Sequence, residues 1–382
     1  VKLVVQVRLL PDAAQAAALA STLRSCNEAA NWVSQVAFER RTFHEYALRK
    51  HTYGNLKDRG LGAQAAQHVI KKVVNAYTSF RASFCAGEKD SRNSERRAKA
   101  EAVPVTFRVT AAHPFDDRCL SWQHDRSTVS IWTVNGRLKH VRYAGHPNQV
   151  EVLRRYRRGE TDLVCRDGMW LLLTTCEVPE ADQVSPTDWI GVDRGIVHIA
   201  TTSDGHDHQG RRLLRYRRWA ARKRAELQAK GTRSAARRLK RRTRREARHA
   251  SHVNHKVSKE IVAVAQRTVR GIALEELRGI RDRVRLPRDQ RATLSGWSFH
   301  HLGHLITYKA RRAGVPVILV SAHYTSQMCP RCGHTARNNR PARGDFCCRR
   351  CGLAGPADHV AAVNVRNRAR RAWVFANTPA PT

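Results

Sequence analysis

Two short cysteine knuckles constrain this chain more than any other feature: "CPRCG", with Cys329 and Cys332, and "CRRCG", with Cys348 and Cys351. Fifteen residues separate the inner cysteines. At this spacing each knuckle presents two sulfurs to one tetrahedral metal and the loop between them closes the site, as in four-thiolate zinc ribbons. With all four positions thiolate, the site is closed and its Zn²⁺ structural. Cys347 reads as a bystander, and His323 and His334 as surface or packing histidines. The remaining cysteines, Cys26, Cys85, Cys119, Cys165 and Cys176, are scattered, which fits buried free thiols and not a disulfide framework.

Charge narrows the partner. Seventy Lys and Arg stand against 32 Asp and Glu, a formal net charge of +38. Such an excess calls for a polyanion, and nucleic acid is the first candidate. The stretch from Arg211 to Ala250 concentrates it, with 18 Lys or Arg against two Glu and only Leu213, Leu214, Trp219, Leu227 and Leu239 as an apolar stripe. Self-repulsion there is costly without an anion nearby, so Arg217, Arg218, Arg222, Lys223, Arg237, Arg238, Arg241 and Arg245 are the candidate nucleic-acid contacts. Gly231 is placed to break this run into a helical hairpin. No apolar run reaches 18 residues and no signal-peptide pattern opens the sequence, so a soluble cytoplasmic protein, nucleoid-associated when on DNA, is expected. At 382 residues and 41% hydrophobic the chain is globular and long enough for two or three domains.

Periodicity sketches those domains. "VKLVVQVRLL" reads as a strand ending at Pro11-Asp12, and residues 12 to about 100 as a helical block. Within it Ala65, Val69, Val73, Tyr77 and Phe80 recur every three or four residues on one helix face. The charged tail "GEKDSRNSERRAKAEA" reads as a linker or solvated helix end. From Val103 to about Glu180 come β-rich runs, "VPVTFRV", "STVSIWTV", "HVRYAG" and "DLVCRDGMWLLLTTCEV", the last with an Asp167-Gly168 turn. The first strand must join these across the helical block, giving a small antiparallel barrel or sandwich with a helical insertion. Further on, "WIGVD" and "VHIATT", then "GIALEEL" and "VPVILVSA", read as strands, and "SFHHLGHLITYKARRAG" as a helix. Together they make a mixed α/β layer fold.

Acidic residues are few enough to be informative. Asp193 lies inside a strand, Glu275 at the end of "GIALEEL", and Asp358 beside the apolar "VAAVNV". A buried carboxylate must be paired or hold a metal. Converging carboxylates suit Mg²⁺, and two such ions can activate water and stabilise the leaving oxygen in phosphodiester cleavage. Taken singly, each could instead pair with one of the many arginines.

"GVDRGIVHIATTSDG", "IALEELRGI", "YTSQMCPRCGH", "FCCRRCG" and "ADHVAAVNVRNRA", in that order, resemble the split RuvC-like nuclease and zinc ribbon of the TnpB proteins. Those are transposon-encoded RNA-guided DNA endonucleases related to compact type V CRISPR effectors. "LLPDAAQAAALASTLRSCNEAANWVSQVAF" is similar to the start of their helical recognition lobe, and "DGMWLLLTTCEVPE" to the strand before the nuclease.

The resemblance implies an RNase H-like (RuvC) core carrying an inserted zinc ribbon, beside an N-terminal β-barrel with a helical insertion. The implied divisions are a wedge-like barrel at 1–11 and 103–187, a helical recognition lobe at 12–102, a nuclease at 188–325 and 353–376 with its basic hairpin at 211–250, the ribbon at 326–352 and a tail at 377–382. It further implies that Asp193, Glu275 and Asp358 are the catalytic, Mg²⁺-binding residues, that two Mg²⁺ are bound, and that Glu276 is not a primary ligand. Two positions depart from the family pattern: Val360 where an Asn is usual, and Arg194 where a Leu is common, the latter either touching substrate phosphate or pointing away.

The expected function is Mg²⁺-dependent cleavage of DNA next to a short adjacent motif, guided by RNA from a transposon end. The partners would be a guide RNA, double-stranded target DNA with its heteroduplex and displaced strand, and no membrane; one or two copies per RNA stays open. The alternatives are a type V effector using CRISPR RNA, a non-cleaving RNA-guided repressor, a strand-transfer transposase, and a plain RNA-binding protein with a zinc ribbon.

Overall fold

The computed structural model describes residues 1–85, 101–195, 197–277 and 299–377. The chain divides into two compact units, Lys2–Val178 and the residues from Pro179 onward joined by Val1.

In the first unit, β1 (Lys2–Leu10) is followed by α1 (Ala13–Glu39), α2 (Glu45–Asp58) and α3 (Ala63–Cys85). A capping box starts α1: the Asp12 carboxylate accepts from the Gln15 N–H at 2.8 Å and the Gln15 side chain accepts from the Asp12 N–H at 3.2 Å. The expected face of α3 is buried at Ala65, Val69, Val73 and Tyr77 and half-buried at Phe80, and Val69, Val73 and Tyr77 belong to a cluster that includes Ala30, Val33, Leu48 and Leu56. The strands are β2 (His113–Phe115), β3 (Leu120–Gln123), β4 (Thr128–Thr133), β5 (Gly136–Ala144), β6 (Arg157–Arg166) and β7 (Met169–Glu177). They form a nearly closed antiparallel sheet in the order β2-β6-β7-β1-β5-β4-β3. β1 lies between β5 and β7, and its alternating Val5, Val7 and Leu9 enter the core with Phe115, Ile131, Leu163 and Leu172. The Asp167-Gly168 turn joins β6 to β7 with both residues at positive φ, 52° and 77°.

Two readings of this unit change. "VPVTFRV" forms no strand. Its backbone is taken by side chains instead: Asn31 Oδ1 accepts from the Phe107 N–H at 2.7 Å, Ser34 Oγ donates to the Val105 carbonyl at 2.6 Å, and Asn27 Nδ2 donates to Val109 and Ala111. Apolar content alone did not reveal that α1 would satisfy these groups. A short helix, α4 (Pro147–Tyr156), also sits among the strands, with Pro147 in its first turn and His146 capping it. The linker reading for residues 87–102 falls outside the described residues except at its last two positions, and the tail beyond 377 falls outside them.

The second unit contains β8 (Trp189–Asp193), β9 (His198–Thr202), β10 (Asp207–Gln209), α5 (Arg211–Ala229), α6 (Arg233–Arg267), β11 (Gly271–Glu276), α7 (Phe299–Arg312), β12 (Val317–Ser321), β13 (Asp345–Cys347), β14 (Ala354–Pro356) and α8 (Ala357–Asn377). Five strands pair in the order β10-β9-β8-β11-β12, with β8, β11 and β12 parallel and β9 and β10 antiparallel. On one face Ile190, Val192, Ile272 and Leu274 pack with Val257, Ile261 and Ala265 of α6 and Leu302 and Ile306 of α7. On the other, Trp189, Ala273 and Val320 pack with Val365 and Ala369 of α8. Gly191 allows that second contact, because a Cβ there would collide with the Ala362 carbonyl and the Arg366 N–H of α8. α5 and α6 meet at Gly231, at φ +61°, as the hairpin reading required, and Thr232 caps α6. α6 runs on past residue 250 because its last four turns carry the buried stripe Val257, Ile261 and Ala265.

Candidate functional site

The sheet brings two of the three singled-out carboxylates into contact. Asp193 is the last residue of β8, and Glu275 follows Leu274, which is paired with Val192 on the adjacent parallel strand β11. Glu275 is 5% exposed and Asp193 half-buried, and the two carboxyls share a hydrogen bond. Burial, then the charges of Glu275 and Asp358, push Asp193 well above the usual carboxylate range. Burial also raises Glu275, against the Thr325 hydroxyl, Arg194 and the bond from Asp193. Asp358, in the first turn of α8, stands further off, its Oδ2 3.1 Å from Nδ1 of His198.

Side chains with no role in the sequence reading hold these groups. Thr325 donates to Glu275 Oε1 at 2.6 Å. The carbonyl of Thr325 accepts from Asn364 Nδ2 at 2.7 Å, and the same Nδ2 donates to Met328 at 2.7 Å, which ties α8 to the segment entering the cysteine knot. His198 also lies 3.7 Å from Asp207, whose carboxylate accepts from Thr201 at 2.6 Å. Thr325 sits in the quoted "YTSQMCPRC", but nothing in its one-letter context distinguishes it from a turn threonine. Arg194 points inward: it is 8% exposed, and Nη2 donates to the Glu275 carbonyl. Val360 is 5% exposed and packs among Cys329, Phe346, Cys348 and Ala357. Its apolar side chain serves the knot and leaves Asn364 to make the polar connection. Glu276 lies at the exposed end of β11.

The four cysteines converge. Ligand atoms of Cys329, Cys332, Cys348 and Cys351 lie within 4.8 Å of one another, the only such group of three or more His, Cys, Asp or Glu among the described residues. Sγ–Sγ separations of 3.5 Å (Cys329–Cys351) and 3.6 Å (Cys332–Cys348) suit a tetrahedron of about 2.3 Å zinc–sulfur bonds. The arrangement fits a structural zinc site. Burial pushes the Cys329 thiol up to about 12. At Cys348 burial acts the same way but is outweighed by the backbone N–H groups of Cys351 and Arg350, and the thiol falls to about 6. Asn339, fully buried, bridges the knuckles: it donates to Gln327 and His334 carbonyls at 2.8 and 3.1 Å and accepts from the Arg349 N–H at 3.0 Å.

On the basic hairpin Arg218, Arg222, Arg237, Arg238, Arg241 and Arg245 are exposed. Lys223 is half-buried and paired with Glu226 at 2.8 Å; Arg217 is half-buried beside Glu246. Trp219 and Tyr216, with ring centroids 5.6 Å apart, line an open cleft of about 810 Å³ with Arg212, Arg215, Arg218 and Arg222.

Two family descriptions match the chain in succession: "Probable transposase" over residues 174–280 and "Cas12f1-like, TNB domain" over residues 299–365. Over these stretches the chain is similar to TnpB-like and Cas12f proteins. It is 38% identical over 112 residues to the CRISPR-associated endodeoxyribonuclease Cas12f1 of Sulfoacidibacillus thermotolerans, a match covering 29% of this chain and 25% of that protein. It is 31% identical over 122 residues to a TnpB-like protein of Methanocaldococcus jannaschii, covering 32% and 43%. The matched part thus spans less than half the length of either relative. In fold it resembles the protein of a Cas12f1-sgRNA-target DNA complex, with a TM-score of 0.56 at 14% identity over 92% of this chain and 83% of that one.

Proposed function

We propose that this protein is an RNA-guided, Mg²⁺-dependent DNA endonuclease of the TnpB type. The observation that carries the reading is the Asp193–Glu275 pair at the ends of neighbouring parallel strands, with Asp358 alongside on the helix that crosses them. In this reading the five-stranded sheet is an RNase H-like core, the cysteine knot is inserted between its last strand and α8, and the first unit comprises the wedge-like barrel and the helical recognition lobe.

The donors fit the metal. Three carboxylates are the hard oxygen ligands that Mg²⁺ takes, and burial raises both members of the contacting pair, which a bound cation would offset. Bound Mg²⁺ would supply an activated water and charge neutralisation at the leaving oxygen of the phosphodiester. The chain's own task is placement. Thr325 fixes the Glu275 carboxylate and His198 fixes Asp358. The exposed arginines of α5 and α6 would hold a guide RNA–target DNA heteroduplex by its backbone, the sequence being read by base pairing. The "Probable transposase" match favours a guide transcribed from a transposon end.

The test is to purify the protein with the RNA it retains, sequence that RNA, and offer a matching duplex library with Mg²⁺ beside an Asp193→Ala control. Guide-dependent cutting that disappears in the control is expected. Tight RNA-directed binding without cutting by the unaltered protein would overturn the nuclease reading in favour of a repressor.

A further inference from the structure

The basic hairpin carries a feature that phosphate binding alone does not use. Arg212, Tyr216, Trp219 and Arg222 follow at steps of three or four residues along α5, so they share one face, flanked by Arg215 and Arg218. These six line the open cleft of about 810 Å³. All four arginines are exposed, and so is Trp219, at 38%, although tryptophan is usually well buried. The rings are held in place by α6. The Arg242 guanidinium carbon lies 4.8 Å from the centroid of the Trp219 ring, and the His249 ring 4.9 Å from that of Tyr216. The two acids of the hairpin are engaged elsewhere, Glu226 by Lys223 and Glu246 by Arg224, each at 2.8 Å. The four cleft arginines thus have no carboxylate of the hairpin to themselves.

Two kinds of surface are interleaved on this face, and each selects a partner. Exposed guanidiniums three and four residues apart repel one another and call for an anion. An exposed indole calls for a flat apolar partner. Inside a duplex the base faces are covered by their neighbours, so only an unpaired base offers one. From Arg212 to Arg222 the helix rises about 15 Å, the axial length of about four stacked nucleotides at about 3.4 Å each. We infer that this face of α5 binds an unpaired stretch of about four nucleotides of the bound RNA, one base stacking on Trp219 and the phosphates falling to the arginines around it. The inference rests on the reading that the hairpin holds guide RNA, and it narrows that reading: paired nucleic acid is left to the exposed Arg237, Arg238, Arg241 and Arg245 of α6. RNA is the occupant because, in that reading, the protein carries its guide before it meets DNA, and a self-repelling face with an open indole needs its anion in that resting state.

Three probes separate bases from phosphates: a short oligouridylate, an abasic ribose-phosphate strand of equal length, and an RNA–DNA hybrid duplex. Their binding to the full-length protein, freed of nucleic acid, is followed by fluorescence anisotropy over a salt series. Trp219→Ala and Trp219→Leu should each weaken oligouridylate binding about tenfold and leave its salt slope, the abasic strand and the hybrid unchanged. Trp219→Phe, which keeps an aromatic face, should stay within about threefold. Arg222→Ala should weaken the oligouridylate and the abasic strand alike and reduce the salt slope by about 0.7. Equal losses on all three probes in Trp219→Ala, or binding by Trp219→Leu as tight as by Trp219→Phe, overturn the proposal and leave the ring a packing element of the hairpin. The source of the strand is tested on the complex that the protein retains from cells. Chemical probing of the bases of that RNA, before any DNA is added, should reveal about four unpaired nucleotides that are protected by the unaltered protein and reactive with Trp219→Leu. Unchanged RNA reactivity overturns the proposal, whether or not the displaced DNA strand responds instead. If the unaltered protein retains no RNA and binds none of the probes, the hairpin reading falls as well; retained RNA that is indifferent to Trp219 sinks this proposal alone.

Discussion

The cysteine knot and the proposed carboxylate site use two kinds of metal-ligand chemistry within one compact unit, and they are built in opposite ways. The knot takes all its ligands from the 23 residues between Cys329 and Cys351, and its sulfurs already lie within 4.8 Å of one another. The cluster draws on residues 193, 275 and 358, from two strands and a helix, and only two of its carboxyls touch. Thiols lose little when crowded in a protonated or shared-charge state, whereas carboxylates repel and must be forced together by the surrounding fold. The difference is one of assembly: local spacing makes the first site, and the packing of β8, β11 and α8 makes the second.

Removing a knuckle ligand should break that comparison most severely. Cys348→Ser should abolish the zinc content measured by elemental analysis, a loss on the order of 10 kcal/mol of metal-linked folding energy. Cutting should fail with it, because Thr325 and Asn364, which flank the knot, lose their frame. Retained cutting in a zinc-free variant would show the two sites to be independent. Asp193→Ala is the converse: cleavage should drop on the order of 10³-fold while zinc stoichiometry and guide RNA binding stay unchanged. Next comes Gly191→Ala, whose methyl meets the backbone of α8. About 3 kcal/mol of destabilisation in urea melts is expected, with zinc retained. Thr325→Val, nearly isosteric, removes the hydroxyl that donates to Glu275 at 2.6 Å and lies 3.2 Å from the Ala322 carbonyl, and should cost about 1 kcal/mol.

The smallest effect concerns pH. Burial first, then neighbouring charge at Asp193, holds Asp193 and Glu275 above their unfolded values. The folded chain therefore binds more protons than the unfolded chain from about pH 4 upward. This pair stabilises fully below that point, and its contribution is lost as pH rises through the raised values. Metal-free urea midpoints of the unaltered protein and Asp193→Asn should diverge as pH increases, the variant falling less; parallel curves would mean that the pair is not proton-linked.

Much of this was legible in the sequence, and the failures share a cause. The knot could be read from spacing because its geometry is local. The strand β1, the hairpin at Gly231 and the buried face of α3 could be read because period and turn chemistry are local too. "VPVTFRV" misled because an extended segment can satisfy its backbone on side chains of a helix some seventy residues earlier, which no window reveals. Asp193, Glu275 and Asp358 stood out only as rare acids in a basic chain and by resemblance. Thr325, Asn364 and His198 are ordinary residues whose importance lies in what they face. Arg194 was visible as a departure, but its direction depended on a glycine more than a hundred positions away.

The crossing of α8 over β8 also sets a timetable for the chain's own synthesis. A ribosome that has made β8 and β11 has produced the Asp193–Glu275 pair, but the third carboxylate arrives only when residue 358 emerges, after both cysteine knuckles. A nascent or prematurely terminated chain can therefore present its positively charged hairpin to nucleic acid well before the three acids can meet.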